Sequence, residues 1–169
     1  MLYYIRVIII RIFLYLFIIV IILLTSILSS YSHDISFIFP SDVKYTSSEY
    51  GYRELFGKIS FHDGTDFPAP YKSNVYSSMS GTVIYVGFLY GYGNTVIISH
   101  NSGYKTSYSH LDSNFLVKVS DYVYSGQIIG QVGPKYLENG ILNGFTTGPH
   151  LHFCIYKDGK TINPMSILN

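Results

Sequence analysis

Two textures divide the chain. From Ile12 to Leu28 nearly every position is apolar, broken only by Thr25 and Ser26, and no charge follows until Asp34. Such a run is apolar all round, unlike the one-sided stripe of a helix on a soluble core. As a helix it spans roughly 25 Å at ~1.5 Å per residue, and including Ser29 and Ser30 brings it to membrane-spanning length. Arg6 and Arg11 are the only charges before it, which predicts a cytoplasmic N-terminus and a translocated remainder. Residues 1–32 are therefore expected to be a signal peptide, cleaved near Ser30 and Ser32, or an uncleaved membrane anchor. Either one exports the remainder of the chain.

From about Ser36 the pattern changes to short apolar runs punctuated by Gly, Ser, Asn and Pro. Thr82–Val86, Thr95–Ser99, Lys105–His110, Tyr122–Tyr124, Gln127–Val132 and Leu151–Tyr156 read as strands. Gly91-Tyr92-Gly93-Asn94 and Asn101-Ser102-Gly103 read as turns between them. Lys157-Asp158-Gly159-Lys160 is a tight-hairpin signal, because Asp-Gly suits positive φ. Many short strands with regular turns predict an all-β fold, a compact antiparallel sandwich or barrel-like domain over residues 41–169. The segment Gly133–Phe145 is expected as a long loop at the rim of a site, with turn signals at Pro134, Asn139-Gly140 and Asn143-Gly144.

Composition then narrows the chemistry. The net charge is +1 and only 12% of residues are charged, with no basic stripe, so nucleic acid is not an expected partner. The single cysteine, Cys154, excludes an internal disulfide framework and a cysteine-rich zinc site. It lies in an apolar run and reads as a small buried strand residue. Any metal must be held by His and carboxylates.

Five of the six histidines fall in the β region: His62, His100, His110, His150 and His152. His150 and His152 stand at i and i+2 and point to one face of a strand, with Leu151 on the other. His62 and Asp66 supply an imidazole and a carboxylate with Gly64 between them. His, Asp and a distant His make a three-ligand set of the kind that leaves a fourth position for water. Asp63 reads as a solvated turn residue. Tyr108 and His110 read as i and i+2 on a strand.

These residues carry a resemblance. The ordered series Ser47…Gly51-x-Arg53, His62-x-Gly64-x-Asp66, Ala69-Pro70, Gly81-Thr82-Val83, Gly91-Tyr92-Gly93-Asn94, Tyr108-x-His110-Leu111, Gly126-Gln127-x-Ile129-Gly130, Thr147-Gly148-Pro149-His150-Leu151-His152-Phe153 and Asn163-Pro164 resembles the lysostaphin-type, or LytM-domain, zinc peptidoglycan endopeptidases. The resemblance implies that His62, Asp66 and His152 bind Zn2+ and that His110 and His150 are the catalytic histidines. It places Asn94 along the substrate groove; His100 also matches a position often occupied by His and reads as structural or as a support behind the ligands. It implies peptidoglycan peptide stems as substrate and an address in the periplasm or cell envelope. An activator or other cell-wall protein is a further partner of such domains. A non-catalytic relative that activates a cell-wall amidase is the alternative, although such relatives typically lose zinc ligands. The sequence departs from the family pattern at Cys154, where Glu is common, at Tyr71-Lys72-Ser73-Asn74, which lacks the usual Gly, and in the long Gly133–Phe145 loop.

Overall fold

A computed structural model describes residues 2–30, 35–55 and 57–169. Two compact units divide at Ile35 and Ser36. The first holds one helix, α1 (Leu2–Ser30). Its Tyr3–Ser26 stretch is long and apolar enough to cross a membrane, and it buries none of its length within the structure. Ser32 and His33 lie outside the described residues.

The second unit is antiparallel β structure, as the alternation of short runs and turns predicts. Its strands are β1 (Gly51–Leu55), β2 (Lys58–His62), β3 (Thr65–Phe67), β4 (Asn74–Tyr76), β5 (Gly81–Leu89), β6 (Gly93–Ser99), β7 (Tyr104–Ser109), β8 (Tyr122–Val123), β9 (Ile128–Gln131), β10 (Leu151–Lys157) and β11 (Lys160–Ile162). The main sheet runs β11-β10-β7-β6-β5-β8, with β3 also pairing β10. The pairs β1-β2 and β4-β9 form two small accessory sheets. The turn between β10 and β11 places Asp158 at φ 49° and Gly159 at φ 82°, the paired positive angles expected of an Asp-Gly hairpin.

β10 organises the unit. It is flanked by β3, β7 and β11, and its residues Leu151 to Ile155 are all buried. Leu151, Phe153 and Ile155 enter a core that includes Phe67, Val96, Ile98, Tyr108 and Leu111. His152 and Cys154 therefore face the other way, by the two-residue period of a strand. The folded unit begins at Ser36, ahead of the expected boundary at residue 41. Phe37 is fully buried and bridges Leu168, tying the two ends of the unit together.

Strands β1 and β2 were not anticipated from the sequence. Ile59 and Phe61 alternate with polar residues but point outward, 79% and 48% exposed, so their pattern is not that of a core-facing strand. The predicted Lys105–His110 strand ends one residue early. Ser109 still pairs with His152, but His110 turns into the left-handed region at φ 59°. Tyr108 and His110 consequently do not share a face: Tyr108 is fully buried in the core, and His110 turns to the opposite side, beside His150 and His152.

Candidate metal and catalytic centre

Three elements deliver three donor atoms to one point. His62 ends β2, Asp66 sits in β3, and His152 pairs directly with Asp66 across the β3-β10 ladder. His62 Nε2 lies 3.0 Å from His152 Nδ1 and 3.2 Å from Asp66 Oδ1, and His152 Nδ1 lies 2.9 Å from Asp66 Oδ1. Ligands about 2.0–2.1 Å from zinc at tetrahedral angles stand about 3.3 Å apart. Two imidazoles and one carboxylate at this spacing fit a zinc ion. All three residues are buried, so the site is shielded while remaining on the wall of a cleft.

Gly64 makes this convergence possible through close approach, not through a positive φ. A Cβ there would stand 2.6 Å from the Phe153 carbonyl oxygen, 2.7 Å from the His152 ring and 2.8 Å from the Cys154 sulfur. Only a residue without a side chain lets the turn between β2 and β3 lie directly on β10.

The electrostatics suit a cation. Burial opposes ionisation of Asp66, but hydrogen bonds from His152 and His62 and the neighbouring imidazole charges outweigh it, and the carboxyl is held well below its usual range. Its second oxygen, Oδ2, accepts from Arg53 Nη1 at 3.4 Å, and the same guanidinium donates to Ser48 Oγ. The carboxylate thus turns one oxygen to the imidazoles and the other to Arg53. For His152, burial opposes protonation, but the Cys154 sulfur and the Asp63 and Asp66 carboxylates outweigh it. Its pKa is raised well above the usual value, and a bound divalent cation would take the place of that proton.

His110 and His150 stand beside the donor set, their ring centroids 4.7 Å apart. His150 Nε2 is 3.6 Å from Asp66 Oδ1. His150 Nδ1 lies 2.9 Å from the Gly148 carbonyl, and His110 Nδ1 lies 2.6 Å from the Asn143 carbonyl. A carbonyl only accepts, so both Nδ1 atoms carry hydrogen, and in the neutral ring this leaves Nε2 as the acceptor. Burial, followed by the charges of His150 and His152, pushes the His110 pKa down to about 3.

The cleft that holds these residues has a volume of about 550 Å³. Its rim is aromatic: Phe61 from β2, Tyr90 and Tyr92 from the turn before β6, and Phe145 from the long loop. Tyr90 and Phe145 meet edge to face at 5.3 Å and are 85% and 74% exposed, leaving an apolar lip open to a ligand.

A family model described as peptidase family M23 matches residues 60–164. The chain belongs to that family. It is 35% identical over 123 residues to the DD-carboxypeptidase/endopeptidase Mpg of Neisseria meningitidis, covering 72% of this chain and 26% of that protein. It is 40% identical over 109 residues to the peptidoglycan DD-endopeptidase ShyB of Vibrio cholerae, covering 64% of this chain and 24% of that one. The chain thus spans about a quarter of the length of these relatives. Among solved structures, a zinc-containing peptidase from Vibrio cholerae superposes with a TM-score of 0.63 at 36% identity, over 78% of this chain and 40% of that one. The catalytic domain of the antimicrobial peptidase lysostaphin from Staphylococcus simulans superposes with a TM-score of 0.61 at 33% identity, over 72% and 90%.

Of the M23 residues singled out from sequence, His62, Asp66, His110, His150 and His152 come together in one cleft. Asn94 does not line it. Its side chain donates to Ser113 Oγ at 3.2 Å and borders a separate hollow with Phe88, Leu137 and Glu138. His100 lies outside the cleft, in a buried network with the Ser80 carbonyl and Thr106 Oγ1.

Asp63 departs from its sequence reading. It is not a solvated turn residue, because it is half-buried, accepts a hydrogen bond from the Tyr92 hydroxyl and approaches His152. Burial works against its ionisation, but the hydrogen bonds from His152 and Tyr92 prevail and its pKa is lowered. Burial and the adjacent Asp63 carboxylate raise that of Tyr92.

By sequence, Asn143 is only half of a turn signal. In the fold it is fully buried, and its side chain accepts from Asn94 N at 2.8 Å and donates to the Leu111 and Pro134 carbonyls at 2.9 and 3.2 Å. It pins the long loop to the sheet while its own carbonyl orients His110. An Asn followed by Gly is common in turns, so nothing local distinguished this one.

Proposed function

We propose that this chain is an exported zinc metalloendopeptidase that hydrolyses peptide cross-links of bacterial peptidoglycan. The observation that carries this reading is the pair of imidazoles, His110 and His150, set against three converging donor atoms in a single aromatic-lipped cleft. The names of the M23 relatives that act on peptidoglycan support the substrate class.

His62, Asp66 and His152 would hold the cation. When bound, zinc supplies Lewis acidity and makes a water molecule acidic enough to act near neutral pH. The protein's own groups then handle the proton and the substrate. His150 takes the proton of the attacking water on Nε2, its Nδ1–H fixed by the Gly148 carbonyl. His110, with a pKa near 3, keeps a proton poorly and serves as a neutral hydrogen-bond acceptor that orients the reactants. Protonated His150 then offers a donor to the leaving amine. Phe61, Tyr90 and Phe145 supply apolar walls against which an extended peptide can lie. A non-catalytic activator has no need of this complete set, which favours the enzyme reading.

α1 supports an address outside the cytoplasm. A helix of membrane-spanning length with Arg6 and Arg11 in its N-terminal part is consistent with an envelope location for the folded unit.

The test is direct. The full chain, purified in detergent and supplied with zinc, is incubated with purified cross-linked peptidoglycan, and the muropeptides are resolved by mass spectrometry. Loss of cross-linked dimers with matching gain of monomers is expected, with no change for His150→Ala. An unchanged spectrum from zinc-loaded protein would refute the substrate assignment, and failure to bind zinc would refute the metal site.

A further inference from the structure

The four imidazoles of the cleft are not held alike. In His62, His110 and His150 the Nδ1–H is fixed by a backbone carbonyl, of Glu49, Asn143 and Gly148, at 2.6–2.9 Å. That contact holds the ring and turns Nε2 toward the cleft. His152 is turned the other way: its Nδ1 faces His62 and Asp66, and its Nε2 points out of the donor set. Among the described residues no backbone carbonyl stands behind that nitrogen. What stands there is the Asp63 carboxylate, with Oδ1 at 3.5 Å, and the Cys154 sulfur at 3.2 Å.

We infer that Asp63 is a positioning residue for the metal centre, accepting the Nε2–H of His152 and so fixing the tautomer that presents Nδ1 to the cation. The inference rests on the proposed zinc reading of this cleft.

Three observations converge on it. A ligating imidazole must be unprotonated at the metal-facing nitrogen, so the proton has to be held at the other, and an ionised carboxylate is a far stronger acceptor than a thiol sulfur. Asp63 is itself anchored, because the Tyr92 hydroxyl donates to its Oδ2 and leaves Oδ1 for His152. The tight seating of Gly64 on Phe153 and Cys154 places the backbone of the turn that carries Asp63 directly against β10, beside the His152 ring. Cys154 lies at i+2 from His152 on β10 and shares its face. It is a position where the chain offers no carboxylate, and the turn before β3 provides one instead. Tyr92 thereby links the aromatic lip to the metal ligand through two hydrogen bonds.

The experiment measures zinc affinity of the full chain in detergent by competition with a chromogenic chelator, on wild type, Asp63→Asn, Tyr92→Phe, Cys154→Ala and Asp66→Asn. Loss of a partner behind a ligating histidine typically costs about 10–100-fold in metal affinity. Asp63→Asn is expected in that range. Tyr92→Phe is expected to lose less, and Cys154→Ala to change by less than about threefold, because the carboxylate remains. The 1H–15N correlation of the His152 Nε2–H, present in the zinc-loaded wild type, should shift upfield in Asp63→Asn, which a merely structural role would not produce. An Asp63→Asn protein that stays folded and binds zinc within about threefold of wild type overturns the inference. So does a Cys154→Ala protein that loses more than Asp63→Asn. If Asp66→Asn also keeps wild-type affinity, the metal site itself is refuted; if Asp66→Asn loses zinc while Asp63→Asn does not, only the role of Asp63 falls.

Discussion

Asp66 is the residue on which the proposed centre depends most. Its Oδ1 stands 2.9 Å from His152 Nδ1 and 3.2 Å from His62 Nε2, and its Oδ2 engages Arg53. Asp66→Asn keeps the shape and the backbone pairing with His152 while removing the negative charge. Four-ligand structural zinc sites bind with about 10–16 kcal/mol, so one ligand corresponds to about 2.5–4 kcal/mol. At about 1.4 kcal/mol per factor of ten, zinc affinity should fall about 60- to 700-fold. The neutral amide should be tolerated in the metal-free fold, because the Ser47 and Ser48 backbone contacts to residue 66 do not involve the side chain. Chelator competition reads the affinity, and circular dichroism of the metal-free protein confirms the fold. A folded Asp66→Asn protein that retains zinc within about threefold of wild type would sink the assignment of His62, Asp66 and His152 as the ligand set.

Three further outcomes are expected from particular contacts. His110, with its pKa pushed down to about 3, stays neutral where a free imidazole near 6.5 takes up a proton. Between those values the unfolded chain binds a proton that the native His110 refuses, so this group lowers stability as pH falls from about 6.5 toward 3. Its 15N shifts at pH 5 should report a neutral ring carrying hydrogen on Nδ1, and a titration midpoint above pH 5 would contradict the burial argument. Asn143→Ala removes three buried side-chain hydrogen bonds, which at about 1 kcal/mol each predicts a loss of about 3 kcal/mol. Urea unfolding checks it, and a loss below about 1 kcal/mol would show that the loop is pinned by other contacts. Mass analysis of the protein recovered from the producing cells decides the role of α1: an intact N-terminus supports an anchor, and a start near residue 31 supports a cleaved signal.

The candidate site was legible in the sequence through the ordered series of motifs that resembles the family, since each spacing alone is compatible with an ordinary structural role. His62 and Asp66 with Gly64 between them, and His150 and His152 two apart on a strand, offer candidate donors whose separation local geometry already limits. The N-terminal helix and most strands of the main sheet were legible because a continuous apolar run and a two-residue alternation are local signals. The hairpin at Asp158-Gly159 was fixed by the φ values those residues favour.

What only the tertiary structure decided lies in contacts between distant segments. His110 entered the cleft by leaving its strand in a left-handed turn, and Asn94 was directed to a different hollow. Asp63 became a buried partner of His152 because Gly64 allows its turn to lie on β10, which is remote in sequence. Asn143 looked like any turn residue until the fold set it between Asn94, Leu111 and Pro134. The physical reason is common to all four. Residue type and spacing state which groups are available, whereas the partner that a side chain meets is chosen by how the whole chain buries its apolar surface.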